Sequence, residues 1–429
     1  MPPLRGLRCA ALSRRAAQPA PSSPLPSRTS LCGAGPPPAH SAAPLPRVLF
    51  LVEGFTDIRF VAGLSAICTL TMITPSAHYR QSSLLERVRA MSLAVKVVEI
   101  EGGRAAFQLR SLRWSLRHVR RFDLILAQEL TRGALNANLA GKLCGVPVFA
   151  YLCTSPIEYF RCRRERGQIG LLKTMLGALS IRLLMRLNAR LASSTIALGV
   201  YLEQLAKRDS RRVMRGLYYG VDTERFRPAN QIERRLIRER LDLPKERFLI
   251  VFASRISHEK DPETVLRAAA LMRERGFDAV VLNLGGGWRD FLELARSLDL
   301  ADHEAWVMAR PAAHPITEFP DYLRAADALA QASLAEGAGL APLEALACGV
   351  PVVATAVGGL ARELGGLAHL VPRRDFRAMA DELLWIASHP AQARGQAIRG
   401  REYVIREWGR GKAFADLACA FASVTRSAR

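Results

Sequence analysis

The chain has 429 residues, a formal net charge of +22 and eight scattered cysteines. This length is sufficient for two domains with full cores. The apolar runs are too short to span a bilayer. Because no C-x-x-C pair is present, a zinc site or a disulfide framework is not indicated, and we expect reduced thiols in a cytoplasmic protein.

The positive charge is concentrated in the first half of the chain. Residues 1–46 carry +5, residues 47–228 carry +16 and residues 229–429 carry +1. A basic domain indicates an anionic partner, which is a membrane surface, a phosphorylated acceptor or a nucleic acid. An arginine-rich codon bias is the alternative explanation. Nucleic acid is the least expected partner, because no motif of that class is present and aromatic residues are few.

The first 46 residues are rich in Pro, Ala, Ser and Arg and contain no acidic residue. They lack a periodic apolar pattern, so we do not expect them to fold alone. Their composition is typical of a transit peptide, and an over-extended gene start is the alternative. We treat residues 1–46 as a disordered or leader segment.

From Arg47 onward, short apolar runs alternate with helical stretches. The first series of predicted strands is Val48–Val52, Cys68–Thr74, Val95–Ile100, Leu124–Ala127, Val146–Leu152 and Thr195–Leu198. The second series is Phe248–Ala253, Ala279–Leu284, Ala305–Met308, Ala328–Ala332, Val352–Ala354 and His369–Val371. This alternation predicts two α/β domains with doubly wound parallel sheets, at residues 47–228 and 229–429. A last helix is predicted at Glu402–Val424. The cleft between two such domains is the expected ligand site.

The stretch EGAGLAPLEALACGVPVVAT, residues 336–355, contains two glutamates eight positions apart. Its glycines and proline predict that Glu336 lies on a loop and that Glu344 lies one turn inside a helix, on the same side. The start of that helix offers backbone N–H groups and a partial positive charge. Because carboxylates bind sugar hydroxyls and a helix start binds phosphate, this arrangement suits a sugar nucleotide.

Two cations follow the first strand of the second series, in the sequence FLIVFASRISHEKDPETVL. Arg255 comes directly after the strand, and Lys260 precedes the Asp-Pro that starts a helix. A pair of cations at this position can hold a diphosphate and stabilise it as it leaves. A solvated loop is the alternative for either residue alone.

These stretches together resemble a retaining glycosyltransferase of the GT-B fold, family 4, from about residue 47 to residue 408. The matching stretches are YYGVDTERFRP, SRISHEK, LNLGGGW, FPDYLRAADALAQAS and EGAGLAPLEALACGVPVVATAVGG. The resemblance implies transfer of a hexose from a UDP- or GDP-sugar to a glycan or lipid-linked acceptor. It also implies retention of the anomeric configuration, and neither a metal ion nor a cofactor. The chain contains no D-x-D motif. In this fold the last helix often crosses back to the first domain.

The resemblance also implies roles for particular residues. Glu336 would hydrogen-bond the donor sugar and stabilise the charge that develops on it, and Glu344 would hold the ribose diol. The residues implied to bind the rest of the donor are Arg255 and Lys260 for the diphosphate, Gly339 and Leu340 for phosphate oxygens through backbone N–H groups, and Arg310 beside the base.

The first domain departs from the family pattern. The loop after the first strand has one glycine where members have two, and Gln128 and Glu129 stand where members often have a histidine. Gln128 can hydrogen-bond a sugar hydroxyl but cannot carry a proton. The alternative function is therefore a non-catalytic GT-B-fold partner subunit that binds a nucleotide sugar.

Basic segments of the first domain are candidates for contacts with an acceptor or a membrane. The loop predicted at residues 155–166 contains Arg161, Arg163 and Arg164, which could bind a phosphorylated acceptor. Two helices, around Trp114 and at Ile169–Leu191, carry arginines at helical spacing. Such helices lie on anionic lipid surfaces, and a basic solvated face over a core is the alternative. We expect a protein that is peripheral on the inner face of the membrane.

Overall fold

The computed structural model describes residues 44–54, 56–76, 84–311 and 313–427. The strands of its first sheet, β1 to β7, are Arg47–Leu51, Thr69–Pro75, Val95–Ile100, Leu124–Gln128, Val148–Leu152, Ser194–Leu198 and Val213–Gly216. The helices α1 to α7 are Ile58–Ile67, Leu84–Ala90, Arg104–His118, Arg132–Cys144, Pro156–Glu165, Leu171–Leu191 and Gly199–Ala206. Residues 1–46 lie almost entirely outside the described part.

The first sheet is parallel and has the strand order β3-β2-β1-β4-β5-β6-β7. Because the order reverses at β1, the carboxyl ends of β1 and β4 form a topological switch point, where ligands bind in such sheets. The sequence predicts six of these strands. It misses β7 because this strand has only four half-buried residues at the sheet edge, one of them Arg215.

The second sheet is also parallel, in the order β10-β9-β8-β11-β12-β13. Its strands β8 to β13 are Phe248–Phe252, Ala279–Asn283, Val307–Ala309, Ala328–Gln331, Val352–Thr355 and His369–Val371. The helices α8 to α16 are Gln231–Arg240, Pro262–Glu274, Trp288–Ser297, Phe319–Ala325, Leu340–Ala347, Gly358–Glu363, Phe376–Ser388, Pro390–Trp408 and Arg410–Ser427. Every residue of β9, β11 and β12 is buried, as expected for strands covered by helices on both faces.

The single helix predicted at Glu402–Val424 is wrong, because the chain breaks at Gly409 between α15 and α16. At the break Val221 donates its N–H to the carbonyl of Trp408 at 2.7 Å, and Arg410 donates to the carbonyl of Val221 at 2.9 Å. The two segments that link the halves of the chain are therefore hydrogen-bonded to each other.

The last helix, α16, packs against the first sheet and its helices. The ring of Phe414 stacks on Phe60 of α1 with centroids 6.3 Å apart, and Phe421 meets Phe149 of β5 edge-on at 5.9 Å. None of the helices in the part of the chain that the structure describes combines the length and the apolar character needed to cross a bilayer.

Candidate functional site

Glu336 lies on the loop between β11 and α12 and accepts three hydrogen bonds through one oxygen. Its Oε2 is 2.5 Å from Lys260 Nζ, 3.2 Å from Ser333 Oγ and 3.4 Å from Gln331 Nε2. Gln331 ends β11 and Lys260 follows β8, so neighbouring strands bring these groups together. This places the first of the two glutamates beside one of the two predicted diphosphate ligands.

Glycines allow this loop to fold tightly. Gly339 caps α12 with a φ of 77°, a left-handed conformation that favours glycine. Gly359 of α13 lies so close to the carbonyl of Gly337 that a Cβ would be 1.9 Å from that oxygen. Gly359 also donates its N–H to the carbonyl of Glu336 at 2.9 Å. These contacts fix the direction in which Glu336 leaves the backbone.

Arg255 also follows β8, five residues before Lys260, but it pairs with Glu259 and not with Glu336. Its Nη2 is 2.8 Å from Glu259 Oε1, and its side chain is 63% exposed. Burial raises the pKa of Glu259, but hydrogen bonds from the backbone and from Arg255 outweigh this, so the pKa lies below its ordinary value. The guanidinium of Arg255 is thus accessible to a ligand while one of its N–H groups is held.

Glu344 lies on α12 and is only 2% exposed. Its ion-pair partner comes from the first domain. Its Oε1 is hydrogen-bonded to Arg59 Nη1 of α1. The same guanidinium donates to Asp57 Oδ2 at 2.9 Å and to the hydroxyl of Tyr219 at 2.7 Å, and it lies over the Tyr219 ring at 4.0 Å. The two predicted site glutamates therefore have different partners, Lys260 and Arg59.

Burial shifts the pKa values of the carboxyl groups around Arg59. It raises the pKa of Glu344 to about 7, although the charge of Arg59 partly opposes the effect. Burial also raises the pKa of Asp57, but Arg59 outweighs it, so the pKa of Asp57 lies below its ordinary value. The cavity beside Glu344 has a volume of about 10 Å³, roughly that of one water position. A ribose cannot reach this carboxylate unless Arg59 moves.

The predicted loop at residues 155–166 is a helix, α5, which begins with Pro156 at its first turn. Arg161 and Arg164 are exposed on it, and Arg163 is half-buried. Past its end, Arg166 pairs with Asp261, and Gln168 hydrogen-bonds His258. The helix that carries the predicted acceptor-side arginines therefore ends beside residues 258–261, the segment of the second domain that contains Lys260.

At the carboxyl end of β4, Gln128 points inward rather than into an open cleft. It is buried, and its Nε2 donates to the Tyr218 hydroxyl at 3.2 Å. The next residue, Glu129, has a φ of 66° and accepts from Cys153 N at 3.4 Å and Thr154 Oγ1 at 3.3 Å. Burial raises the pKa of Glu129 to about 7, although these hydrogen bonds oppose it.

The two halves meet closely at this point. A Cβ on Gly337, next to Glu336, would lie 2.6 Å from the carbonyl oxygen of Cys153, which follows β5. The loop that carries Glu336 therefore lies directly against Cys153, and Cys153 and Thr154 donate hydrogen bonds to Glu129. By contrast, Arg310 is placed apart, where its Nη2 is 3.3 Å from the carbonyl oxygen of Asp242.

Sequence reasoning missed the residues that surround Glu344: Asp57, Arg59 and Tyr219. The available signal was the D-x-R spacing at the start of α1, which follows β1 at the switch point of the sheet. Among the described residues, no group of three or more His, Cys, Asp or Glu side chains is arranged to hold a metal ion.

The second half of the chain matches a known family. Residues 233–402 match the model described as "Glycosyl transferases group 1". The D-inositol 3-phosphate glycosyltransferase of Salinispora tropica is 39% identical over 155 residues, covering 33% of this chain and 31% of that protein. The one of Saccharomonospora viridis is 39% identical over 207 residues, covering 44% and 46%. The chain thus spans less than half the length of these two relatives.

Solved structures share the fold over most of the chain. Anabaena HepE in complex with UDP superimposes with a TM-score of 0.69 at 17% identity, covering 88% of this chain and 100% of that chain. Sucrose-phosphate synthase of Thermosynechococcus elongatus gives 0.70 at 18% identity, covering 89% and 100%. Residues 233–402 therefore resemble the glycosyl transferases group 1 family, and the two parallel sheets with these structural matches confirm the GT-B fold class predicted from the sequence.

Proposed function

We propose that the chain is a retaining glycosyltransferase that moves a hexose from a UDP- or GDP-sugar to a glycan or lipid-linked acceptor without a metal ion. The observation that carries this proposal is the hydrogen bond between Lys260 and Glu336 beyond the carboxyl ends of β8 and β11. An ammonium group and a carboxylate held together here can bind the diphosphate and the sugar of a donor, respectively. Arg255 lies nearby with an accessible guanidinium.

Each of these groups has a chemical task in the proposed reaction. Arg255 and Lys260 balance the charge of the diphosphate as the bond from its oxygen to the anomeric carbon breaks. Glu336 accepts hydrogen bonds from the sugar hydroxyls and stabilises the positive charge on the ring. The acceptor oxygen then bonds to the anomeric carbon from the same face, and its proton passes to the leaving diphosphate, so the configuration is retained.

The remaining donor contacts come from α12 and its surroundings. Gly339 and Leu340 present the start of α12 to the phosphates, where backbone N–H groups attract anions. Glu344 binds the ribose diol once Arg59 has released it. Arg310 is proposed to border the base, although in this structure it contacts the segment around Asp242.

The acceptor is proposed to approach along α5. Arg161 and Arg164 are exposed on this helix, whose end lies beside the segment that contains Lys260. Because arginine binds phosphate well, an acceptor that carries a phosphate is favoured. The two relatives are named D-inositol 3-phosphate glycosyltransferases, so this compound belongs among the acceptors to test. Gln128 is proposed to support this side through its hydrogen bond to Tyr218.

The test uses the full chain in buffer that contains a metal chelator. We expect UDP or GDP to raise the melting temperature more than ADP does, because a ligand that binds only the folded state stabilises it. The matching nucleotide sugar should then be consumed in the presence of an acceptor, with a product of unchanged anomeric configuration by NMR. Activity that disappears with the chelator, or an inverted product, would contradict the proposal.

A non-catalytic partner subunit is the second candidate, because Arg59 pairs with Glu344 in this structure and so blocks the residue proposed to bind the ribose. Nucleotide binding without consumption of any donor would favour it. No thermal shift with any nucleotide or nucleotide sugar would contradict both functions.

A further inference from the structure

Three neighbouring helices of the first domain form a single surface. Helix α4 lies between α3 and α6: Asn136 donates to Ser111 of α3 at 3.0 Å, and Asn138 donates to Asn188 of α6 at 2.9 Å. Together the three helices contain ten basic residues and no acidic residue. We call the surface that they present the three-helix face.

The three-helix face also exposes an unusual amount of apolar surface. Of the seventeen large apolar side chains exposed among the described residues, eleven lie on these helices and seven of those lie on α6. Five leucines recur along one side of α6 at helical spacing and are between 46% and 71% exposed: Leu172, Leu176, Leu179, Leu183 and Leu187. Exposed apolar surface of this extent marks an interaction site.

This exposure favours one of the two sequence interpretations of α6, contact with a membrane, over a solvated face that covers a core. If the helix only covered a core, its leucines would be inside and its arginines outside. Instead Thr174, Asn188 and Ala189 are its buried residues, and six of its eight leucines are exposed. The exposed basic residues Lys173 and Arg182 flank the leucine stripe.

We propose that the three-helix face binds the surface of a lipid bilayer that contains anionic lipids, with α6 lying in the plane of the interface. Leucines on such a helix enter the boundary between headgroups and acyl chains, while flanking basic residues meet the headgroup phosphates. Two of the ten basic residues have carboxylate partners within the described part of the chain, Arg132 with Glu53 and Arg186 with Asp209. The other eight are exposed and can attract anionic lipids, although Arg110 also donates to the carbonyl of Glu101 at 2.8 Å.

Charge decides against other occupants of this face. A second copy would bring two surfaces without acidic side chains against each other, which costs like-charge repulsion. The first 46 residues of this chain are themselves basic and contain no acid. A nucleic acid would match the charge, but it would place the exposed leucines against charged phosphates, which offer them no apolar surface. An anionic bilayer matches both the charge and the apolar stripe.

The test is sedimentation of the full chain with vesicles, and it requires no sugar donor, so it fails or succeeds independently of the proposed enzyme activity. We expect binding to phosphatidylcholine vesicles that contain phosphatidylglycerol, and at least tenfold weaker binding to pure phosphatidylcholine. The double variant Leu176→Ser/Leu183→Ser should lose about tenfold in partition coefficient. Its matched control is Ile232→Ser/Leu236→Ser, two residues that are exposed on α8 of the second domain.

Charge reversal tests the electrostatic part. Arg182→Glu/Arg190→Glu should lower the partition coefficient by tenfold or more, since each basic residue near an anionic surface contributes roughly a fivefold change. Arg394→Glu/Arg399→Glu on α15 makes the same charge change and should have little effect. Equal loss in test and control variants, or equal binding to both kinds of vesicle, would overturn the proposal. So would a dimer of the full chain that the leucine variants dissociate.

Discussion

Arg59 and Glu344 form an ion pair that links α1 of the first α/β domain to α12, the helix after the Glu336 loop, and both side chains are largely buried. Glu344 is the residue for which the family resemblance implies ribose binding. Arg59 also contacts Asp57 and Tyr219, so its charge is fully engaged. A buried pair of this kind is costly to break when one partner leaves alone. Donor binding and release of Arg59 are therefore expected to be coupled.

Arg59→Gln is expected to tighten binding of the preferred nucleoside diphosphate about fivefold, because the ribose no longer competes with the guanidinium for Glu344. Glu344→Gln should weaken the same binding about tenfold. Isothermal titration calorimetry on the full chain measures both. Arg47→Gln, which removes an ion pair with Asp123 at the start of β1, is the control. Unchanged affinity in both test variants would show that the ribose does not bind Glu344.

Glu336→Gln keeps the shape of the side chain but removes its charge. We expect kcat to fall by about a hundredfold or more, because stabilisation of charge in the transition state is lost. The affinity for the nucleoside diphosphate should change by less than about threefold, since the proposed role of Glu336 is toward the sugar.

Glu263→Gln is the control for that change, because Glu263 also pairs with a basic side chain, Arg267 at 2.8 Å, but lies on α9 away from the loop. Steady-state kinetics and calorimetry on the same preparations separate the two effects. Full transfer activity in Glu336→Gln would remove this residue from the proposed mechanism.

Arg255→Ala is expected to raise the dissociation constant of the nucleoside diphosphate about tenfold, because one of two cations at the proposed phosphate site is lost. Arg267→Ala is closely matched: both arginines pair with a glutamate four positions away at 2.8 Å. The Arg267 variant should bind as the unchanged protein does. Equal affinities for the two variants would argue against a diphosphate contact at Arg255.

The stability of the protein is expected to depend on the titration of Glu129. Its pKa is about 7 in the folded protein, against an ordinary value of 4.5. Because the folded state holds the proton more tightly, the associated stabilisation is present below pH 4.5 and is lost as the pH rises towards about 7.

Glu129→Gln removes this titration. Relative to that variant, the unchanged protein should lose about 1–3 kcal/mol of unfolding free energy between about pH 5 and about pH 8. Urea denaturation at the two pH values measures the difference, and the titration of Glu344 cancels because both proteins contain it. A pH-independent difference would show that Glu129 is ionised throughout this range.

The sequence by itself determined the fold class and the position of the proposed donor loop. Parallel strands covered on both faces must be short apolar runs, so β9, β11 and β12 are visible in the chain as such runs. The glycines and proline around Glu336 similarly specify a loop that leads into a helix. These signals are local, and local steric and hydrophobic preferences therefore determine them.

Only the tertiary structure decided which charged groups meet. Arg59 and Glu344 are 285 residues apart, and no local pattern couples the start of α1 to the middle of α12. The same holds for the leucines of α6, because a helical repeat of apolar residues does not reveal whether that side of the helix faces a core or solvent. Docking of the helices on the sheets settles both questions, since it fixes which faces are covered and which cations lie beside which carboxylates.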